Sequence, residues 1–330
     1  MSKLFTPTQI GPYKLSHRVV MAPLTRMRSD PADIPSDLMV EYYTQRASKG
    51  GLIISEATPV SIRGNGYAGA PGIYSETQIA GWQRVTAAVH AKGGRIFQQF
   101  PFSMPRALEL HEIPRTIEEF RAGAERALRA GFDGVEIHGA NGYLPDQFLQ
   151  DGTNKRTDEY GGPIENRARF MLEVTQAAIS VWGADRVGVR IAPSGTYGSM
   201  SDSDPAATFG YVTTQLDRLG IAYLHVVEPR IKGTEEISHG RAPIATQHLR
   251  PKFSRTLIAA GGFTAASAEA IVTFGDADLV AFGRHFISNP DLPERIRQGL
   301  PLNRYDRSTF YGGNARGYTD YPAAQSAAAA

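Results

Sequence analysis

Eight short runs rich in apolar and β-branched residues recur along the chain, each followed by a longer stretch whose apolar positions return every three or four residues. The short runs are Val19–Pro23, Leu52–Ala57, Ile96–Phe100, Gly134–His138, Val187–Ile191, Tyr223–Val227, Leu257–Ala260 and Leu279–Gly283. They start about 37 residues apart on average, room for a strand and a crossover helix. The stretches between them predict helices at Leu38–Lys49, Gln78–Lys92, Thr116–Ala130, Ile164–Trp182, Pro205–Leu219, Ala265–Phe274 and Asp291–Gly299. In the third, Ile117, Phe120, Ala124, Ala127 and Leu128 share one face. Thr116 followed by Glu119 resembles a capping box, and Gly123 is expected to weaken the helix by about 1 kcal/mol relative to alanine.

Strict alternation of strand and helix predicts a parallel sheet covered by helices. Eight units predict that the sheet closes. The expected fold class is α/β, a single (β/α)8 TIM barrel spanning 1–330, with residues 1–17 as an N-terminal lid at the barrel's bottom and 323–330 as a frayed tail. A doubly wound sheet would need a Gly-x-Gly-x-x-Gly turn after an early strand, and none occurs.

With 42% apolar and 21% charged residues the chain is neither disordered nor collagenous. Lys plus Arg number 35 against 33 Asp plus Glu, a net charge of +2 without a run of like charge, so nucleic acid is not an expected partner. The absence of cysteine removes disulfides, thiolate metal sites, Fe–S clusters and thiol nucleophiles. No secretory core or membrane-length apolar run occurs, and a soluble cytoplasmic protein with no membrane partner is expected. No His and carboxylate spacing suits a metal, so none is expected.

In such a barrel the chemistry belongs at the C-terminal ends of the strands. The fourth run leads into His138-Gly139-Ala140-Asn141-Gly142-Tyr143, three polar side chains able to converge on one small polar group, or a loop tied by local hydrogen bonds. Arg190 emerges from the apolar fifth run, and burying it demands an anion, either a ligand or a barrel carboxylate such as Glu56 or Glu136. Ala260-Gly261-Gly262 and Phe282-Gly283-Arg284 end the last two runs with backbone N–H groups and a fixed charge, the usual phosphate clamp of this fold. Clamp, buried cation and donor cluster together suit flavin mononucleotide.

These residues carry a resemblance. Through Val20-Met21-Ala22-Pro23-Leu24-Thr25-Arg26, His138-x-x-Asn141-x-Tyr143, the run from Thr157 to Arg167 (TDEYGGPIENR), Phe282-Gly283-Arg284 and Gly317-Tyr318-Thr319-Asp320-Tyr321-Pro322, the chain resembles the ene-reductases of the old yellow enzyme family over nearly its whole length. The resemblance implies non-covalent FMN, NADPH or NADH as hydride donor, and reduction of alkenes activated by a carbonyl or nitro group; the same hydride donor and anion-binding pair could also reduce nitrate esters and nitroaromatics. It implies that Pro23, Leu24, Thr25 and Ala57 line the isoalloxazine, that Gln99 bonds its pyrimidine edge, that Arg190 sits beside N1 and O2, and that Gly261, Gly262, Gly283 and Arg284 hold the phosphate. His138 and Asn141 would bind the substrate's activating oxygen and Tyr143 would donate the proton, with Tyr67 and Tyr311 at the pocket or simply packing.

The chain departs from that pattern after the third run, where Gln98-Gln99-Phe100-Pro101-Phe102 leads within a few residues to the next helix. The family's long excursion over the site is largely missing here, by an engineered loop deletion or natural variation. Phe100 or Phe102 would then replace part of an aromatic wall or belong to the core. His225, inside a strand, reads as a core histidine. Two other readings stay open: a phosphosugar isomerase or aldolase on the same barrel, and a flavin-binding module whose shortened rim impairs turnover. The preferred alkene, the nicotinamide used and the oligomeric state are not specified by the residues.

Overall fold

The computed structural model describes residues 2–102, 106–229, 231–232, 235–236 and 244–324. Among them, eight parallel strands bond in sequence order into a closed barrel: β1 (Val19–Met21), β2 (Leu52–Ile54), β3 (Arg95–Phe100), β4 (Gly134–Gly139), β5 (Val187–Ile191), β6 (Tyr223–Val227), β7 (Thr256–Ala260) and β8 (Leu279–Phe282). The last strand closes onto the first with Phe282 opposite Met21. Pro23, Ala57 and Gly283 lie in loops beyond their strands. Of these, Pro23 has no N–H to give a ladder. The expected tail falls mostly on residues 325–330, outside the described residues.

The crossover helices are α1 (Asp37–Arg46), α2 (Glu76–Ala91), α3 (Ile113–Arg129), α5 (Ile164–Trp182), α6 (Pro205–Leu219) and α8 (Ala265–Phe274), and α10 (Leu292–Gln298) follows the last strand. Shorter helices α4 (Leu144–Leu149), α7 (Thr246–Leu249) and α9 (Arg284–Ser288) lie between them and carry no sequence-level periodicity long enough to read. Ser36, Asp204 and Thr264 cap α1, α6 and α8, and Ser75 with Gln78 forms a capping box on α2.

The expected box at Thr116 and Glu119 is overturned. Helix α3 begins at Ile113 with Pro114 in its first turn, and the Thr116 hydroxyl donates to the Glu112 carbonyl at 3.0 Å from inside the helix. Gly123 also has a different meaning: a Cβ there would stand 2.5 Å from Val60 Cγ1. Contact, rather than weak helix propensity, explains the glycine.

Strand residues divide by alternation into two faces. Val19, Ile53, Ile96, Val135, Val189, Leu224, Leu257 and Val280 join the helices in one large core. The other face forms a separate cluster of Val20, Leu52, Ile54, Phe97, Tyr223, Ile258 and Leu279. An N-terminal hairpin, Thr8–Ile10 with Tyr13–Leu15, adds Ile10 and Leu15 to this second cluster and was not visible in the sequence. Its Tyr13 meets Phe97 edge-on and donates its hydroxyl proton to the Asp133 carbonyl at 2.8 Å.

Candidate active site

Toward the C-terminal ends of the strands the inner face changes character. Just past β1 and near the ends of β7 and β8 stand Ala22, Ala260 and Ala281, which leave space, whereas β3 to β5 present Gln99, His138 and Arg190. The result is a cavity of about 650 Å3, apolar on one side and polar on the other. Pro23, Leu24, Thr25, Tyr67, Asn141, Tyr143, Gly261, Gly262, Gly283, Arg284 and Tyr311 also line it. Of the residues the sequence singled out, Ala57 is buried but does not line this cavity. Tyr197, Phe310 and Met27 line it and were missed; Phe310 and Met27 lie on irregular segments and Tyr197 opens a three-residue 3-10 turn, none long enough for a periodic signal.

The donor cluster is assembled by two consecutive left-handed residues, Asn141 at φ 57° and Gly142 at φ 75°. The turn is pinned from below: the Asp146 carboxylate accepts the Gly142 N–H at 3.0 Å, and Gln147 Nε2 donates to the Gly142 carbonyl at 2.6 Å. Helix α4 therefore sets where Tyr143 stands, with its ring centroid 4.5 Å from that of His138. Burial, followed by the nearby charges of Arg190 and His225, holds the His138 pKa well below its ordinary value, so the ring is neutral at neutral pH. Burial first, and then Tyr67, Tyr197 and Tyr311, raises the Tyr143 phenol, which keeps its proton.

The expected carboxylate partners of Arg190 are both engaged elsewhere. Glu56 accepts the backbone N–H groups of Arg26 and Met27 at 3.0 and 3.3 Å and the Tyr43 hydroxyl at 3.3 Å. Glu136 accepts Gln99 Nε2 at 2.6 Å and His225 Nδ1 at 2.9 Å. Among the described residues neither pairs with Arg190, whose buried Nε has no partner. Burial pushes the Glu136 carboxyl up, but His225, Arg190 and the Gln99 hydrogen bond together pull it below its ordinary value, so it is an anion. His225 is thus a core histidine with one nitrogen held and Nε2 left without a partner. Phe100 and Phe102 are core as well; Phe102 stacks on Phe120 at 5.7 Å and neither lines the cavity.

Buried arginines tie the C-terminal segment to the barrel. Arg26 donates to the carbonyls of Phe310 and Gly317, Arg28 to those of Thr309 and Asn314, and Arg46 to that of Tyr318, while Tyr42 and Tyr318 stack at 4.1 Å. This clasp brings Phe310 and Tyr311 to the cavity. At the other wall, Gly261 (φ 118°) and Gly262 (φ 66°) adopt conformations L side chains rarely take, next to Arg284.

The set fits FMN: a cation and a neutral imidazole with unpartnered buried nitrogens on the polar side, alanines on the flat side, and glycines with an arginine where a phosphate could be held. Among the described residues no helix is long and apolar enough to cross a membrane, and no group of His, Asp and Glu could hold a metal.

Comparison with known proteins agrees with this chemistry. The model of the NADH:flavin oxidoreductase / NADH oxidase family matches residues 3–103 and 101–303. Flavin oxidoreductase hxnT of Emericella nidulans is 44% identical over 382 residues, covering 98% of each chain. The 12-oxophytodienoate reductase 1 of Oryza sativa is 45% identical over 357 residues, 97% of this chain and 92% of that protein. The solved structure of morphinone reductase superposes with a TM-score of 0.92 at 45% identity, covering 98% of this chain and 96% of that one; it has also been solved with tetrahydroNAD. The old yellow enzyme homologue from Zymomonas mobilis gives 0.90 at 38% identity, covering 97% and 99%.

Proposed function

The chain belongs to the NADH:flavin oxidoreductase / NADH oxidase family, within it to the old yellow enzymes, and is an FMN- and NAD(P)H-dependent oxidoreductase; from that premise we propose that it reduces alkenes activated by a carbonyl or nitro group. Bound FMN supplies the chemistry of accepting hydride from the nicotinamide and delivering it to the alkene's β-carbon. The observation that carries the proposal is the convergence of a neutral His138, Asn141 and a protonated Tyr143 beside the buried cation Arg190.

On this reading Arg190 and Gln99 hold the pyrimidine edge, Pro23, Leu24 and Thr25 line the ring, and Gly261, Gly262, Gly283 and Arg284 hold the phosphate. His138 and Asn141 hold the substrate's activating oxygen. A neutral imidazole suits that task, since it offers one N–H without burying a second positive charge beside Arg190. The two donors stabilise the negative charge that collects on the oxygen, and Tyr143 gives its proton to the α-carbon. Tyr67 and Tyr311 border the substrate at the mouth.

Access to the site is wide. The family match falls into two pieces that meet at residues 101–103, and the relatives align over 357 to 382 positions against a chain of 330. Both support a segment missing after β3, beside the cavity. Bulky enones, nitroalkenes and nitrate esters are the substrates to try.

The test is an absorption spectrum of the purified protein, followed by NADPH and NADH oxidation with cyclohexenone, a nitroalkene and a nitrate ester. A yellow protein that NAD(P)H bleaches and an enone restores is the expected result. A yellow protein that never consumes NAD(P)H with any of the three would leave only flavin binding and overturn the proposal.

A further inference from the structure

One buried carboxylate has no part in the scheme above. Glu136 lies on the inner face of β4, fully buried, with Gln99 its partner in the ladder to β3 and Arg190 and His225 on the next two strands. Both oxygens are used, Oε1 by Gln99 and Oε2 by His225. A carboxylate only accepts hydrogen bonds, so the Gln99 amide has one orientation: its NH2 faces Glu136 and its carbonyl oxygen is left for the cavity. Next to the guanidinium of Arg190 this makes an acceptor beside donors, the complement of an imide edge with a ring N–H flanked by C=O. Gln99 and Arg190 both line the cavity, and Glu136 reaches it only through them.

We propose that Glu136 is a positioning residue for the cofactor: it locks the Gln99 amide with its carbonyl toward the FMN pyrimidine N–H and offsets part of the Arg190 charge, thereby setting both the affinity and the reduction potential of the bound flavin. The inference rests on the FMN reading above. In E136Q, with His225 keeping its proton on Nδ1 as it does opposite the carboxylate, the new amide accepts there and turns its NH2 to Gln99. The Gln99 amide then rotates and presents NH2 where the ring N–H needs an acceptor. The same substitution removes an anion beside Arg190 and so favours the more electron-rich form of the flavin.

The experiment strips FMN from the wild type, E136Q and E136D, titrates each with oxidised and two-electron-reduced FMN, and follows thermal melting. E136Q is expected to weaken oxidised FMN by about tenfold, the loss of one well-placed hydrogen bond. It is also expected to shift the reduced-to-oxidised affinity ratio by about tenfold, a rise of about 30 mV for a two-electron couple. E136D keeps the charge but falls short of Gln99; it should weaken oxidised FMN about threefold and hold the ratio within about twofold of the wild type. In a Gln99→Leu background the effect of E136Q on oxidised FMN should vanish while the change in ratio persists.

A folded E136Q with wild-type affinity and potential overturns the proposal, whatever its melting temperature. If E136Q does not fold, E136D decides: wild-type affinity for oxidised FMN, or a shifted ratio, overturns it. A wild-type chain that takes up no FMN sinks the proposed function instead.

Discussion

At the scale of single residues, burial sets the protonation states on which the proposed chemistry rests. Tyr143 keeps its proton because desolvation raises its pKa, and Tyr143→Phe should slow alkene reduction by about a hundredfold while nicotinamide still bleaches the flavin; stopped-flow traces in which both half-reactions slow equally would refute that role. Asp146 gives a separate pH signature. Burial raises its pKa to about 7 from 3.8, against the opposing hydrogen bonds of Gln150 and Gly142. A carboxyl raised on folding contributes stability that is full below its unfolded value and is lost as pH rises through the folded one. Asp146→Asn should therefore be near neutral at about pH 3 and more stable than the wild type by on the order of 2–4 kcal/mol at about pH 9. Melts in which the gap fails to widen with pH would exclude this account. The motif residues themselves could be read directly from the sequence. The fate of Arg190 could not, because whether Glu56 or Glu136 reaches it depends on which neighbours claim those carboxylates first.

At the scale of elements, local propensity and packing disagree in a measurable way at Gly123. Helix propensity predicts that Gly123→Ala stabilises α3 by about 1 kcal/mol. The 2.5 Å approach to Val60 predicts the opposite, a net loss of about 1–3 kcal/mol. A rise in urea midpoint on Gly123→Ala would show that the helix can move away from Val60. The long crossover helices and barrel strands were legible because burial of one helix face, or of both strand faces, writes itself into the order of residues. Helix α4 was not, being six residues long, yet it fixes the Asn141–Tyr143 turn. The N-terminal hairpin was equally hidden, with only Ile10 and Leu15 of its strands fully buried.

At the scale of the whole molecule, the cavity depends on joining distant parts of the chain. Arg26 and Phe310, 284 positions apart, are hydrogen-bonded at 2.8 Å, and the segment so held delivers Tyr311 to the mouth. Arg28→Ala would remove one donor from the Thr309 carbonyl, which keeps Arg26 Nη2 at 3.3 Å, and the donor to the exposed Asn314, at about 0.5–1.5 kcal/mol for each hydrogen bond lost. It should raise KM for the alkene more than it lowers kcat and open the segment 309–319 to limited proteolysis. A variant with wild-type KM and cleavage pattern would mean that Arg26 and Arg46 hold the segment alone.

The sequence by itself determined the repeat of strand and helix, the number of repeats, the rim on which chemistry had to lie and the family motifs on that rim, since each is local in the chain. Only the tertiary structure decided which inward residues meet across strands: that Glu136 holds Gln99 and His225 rather than Arg190, that Phe100 and Phe102 face the core, and that three arginines grip the C-terminal segment. Such contacts follow from barrel closure and side-chain competition for partners, and neither leaves a periodic trace along the chain.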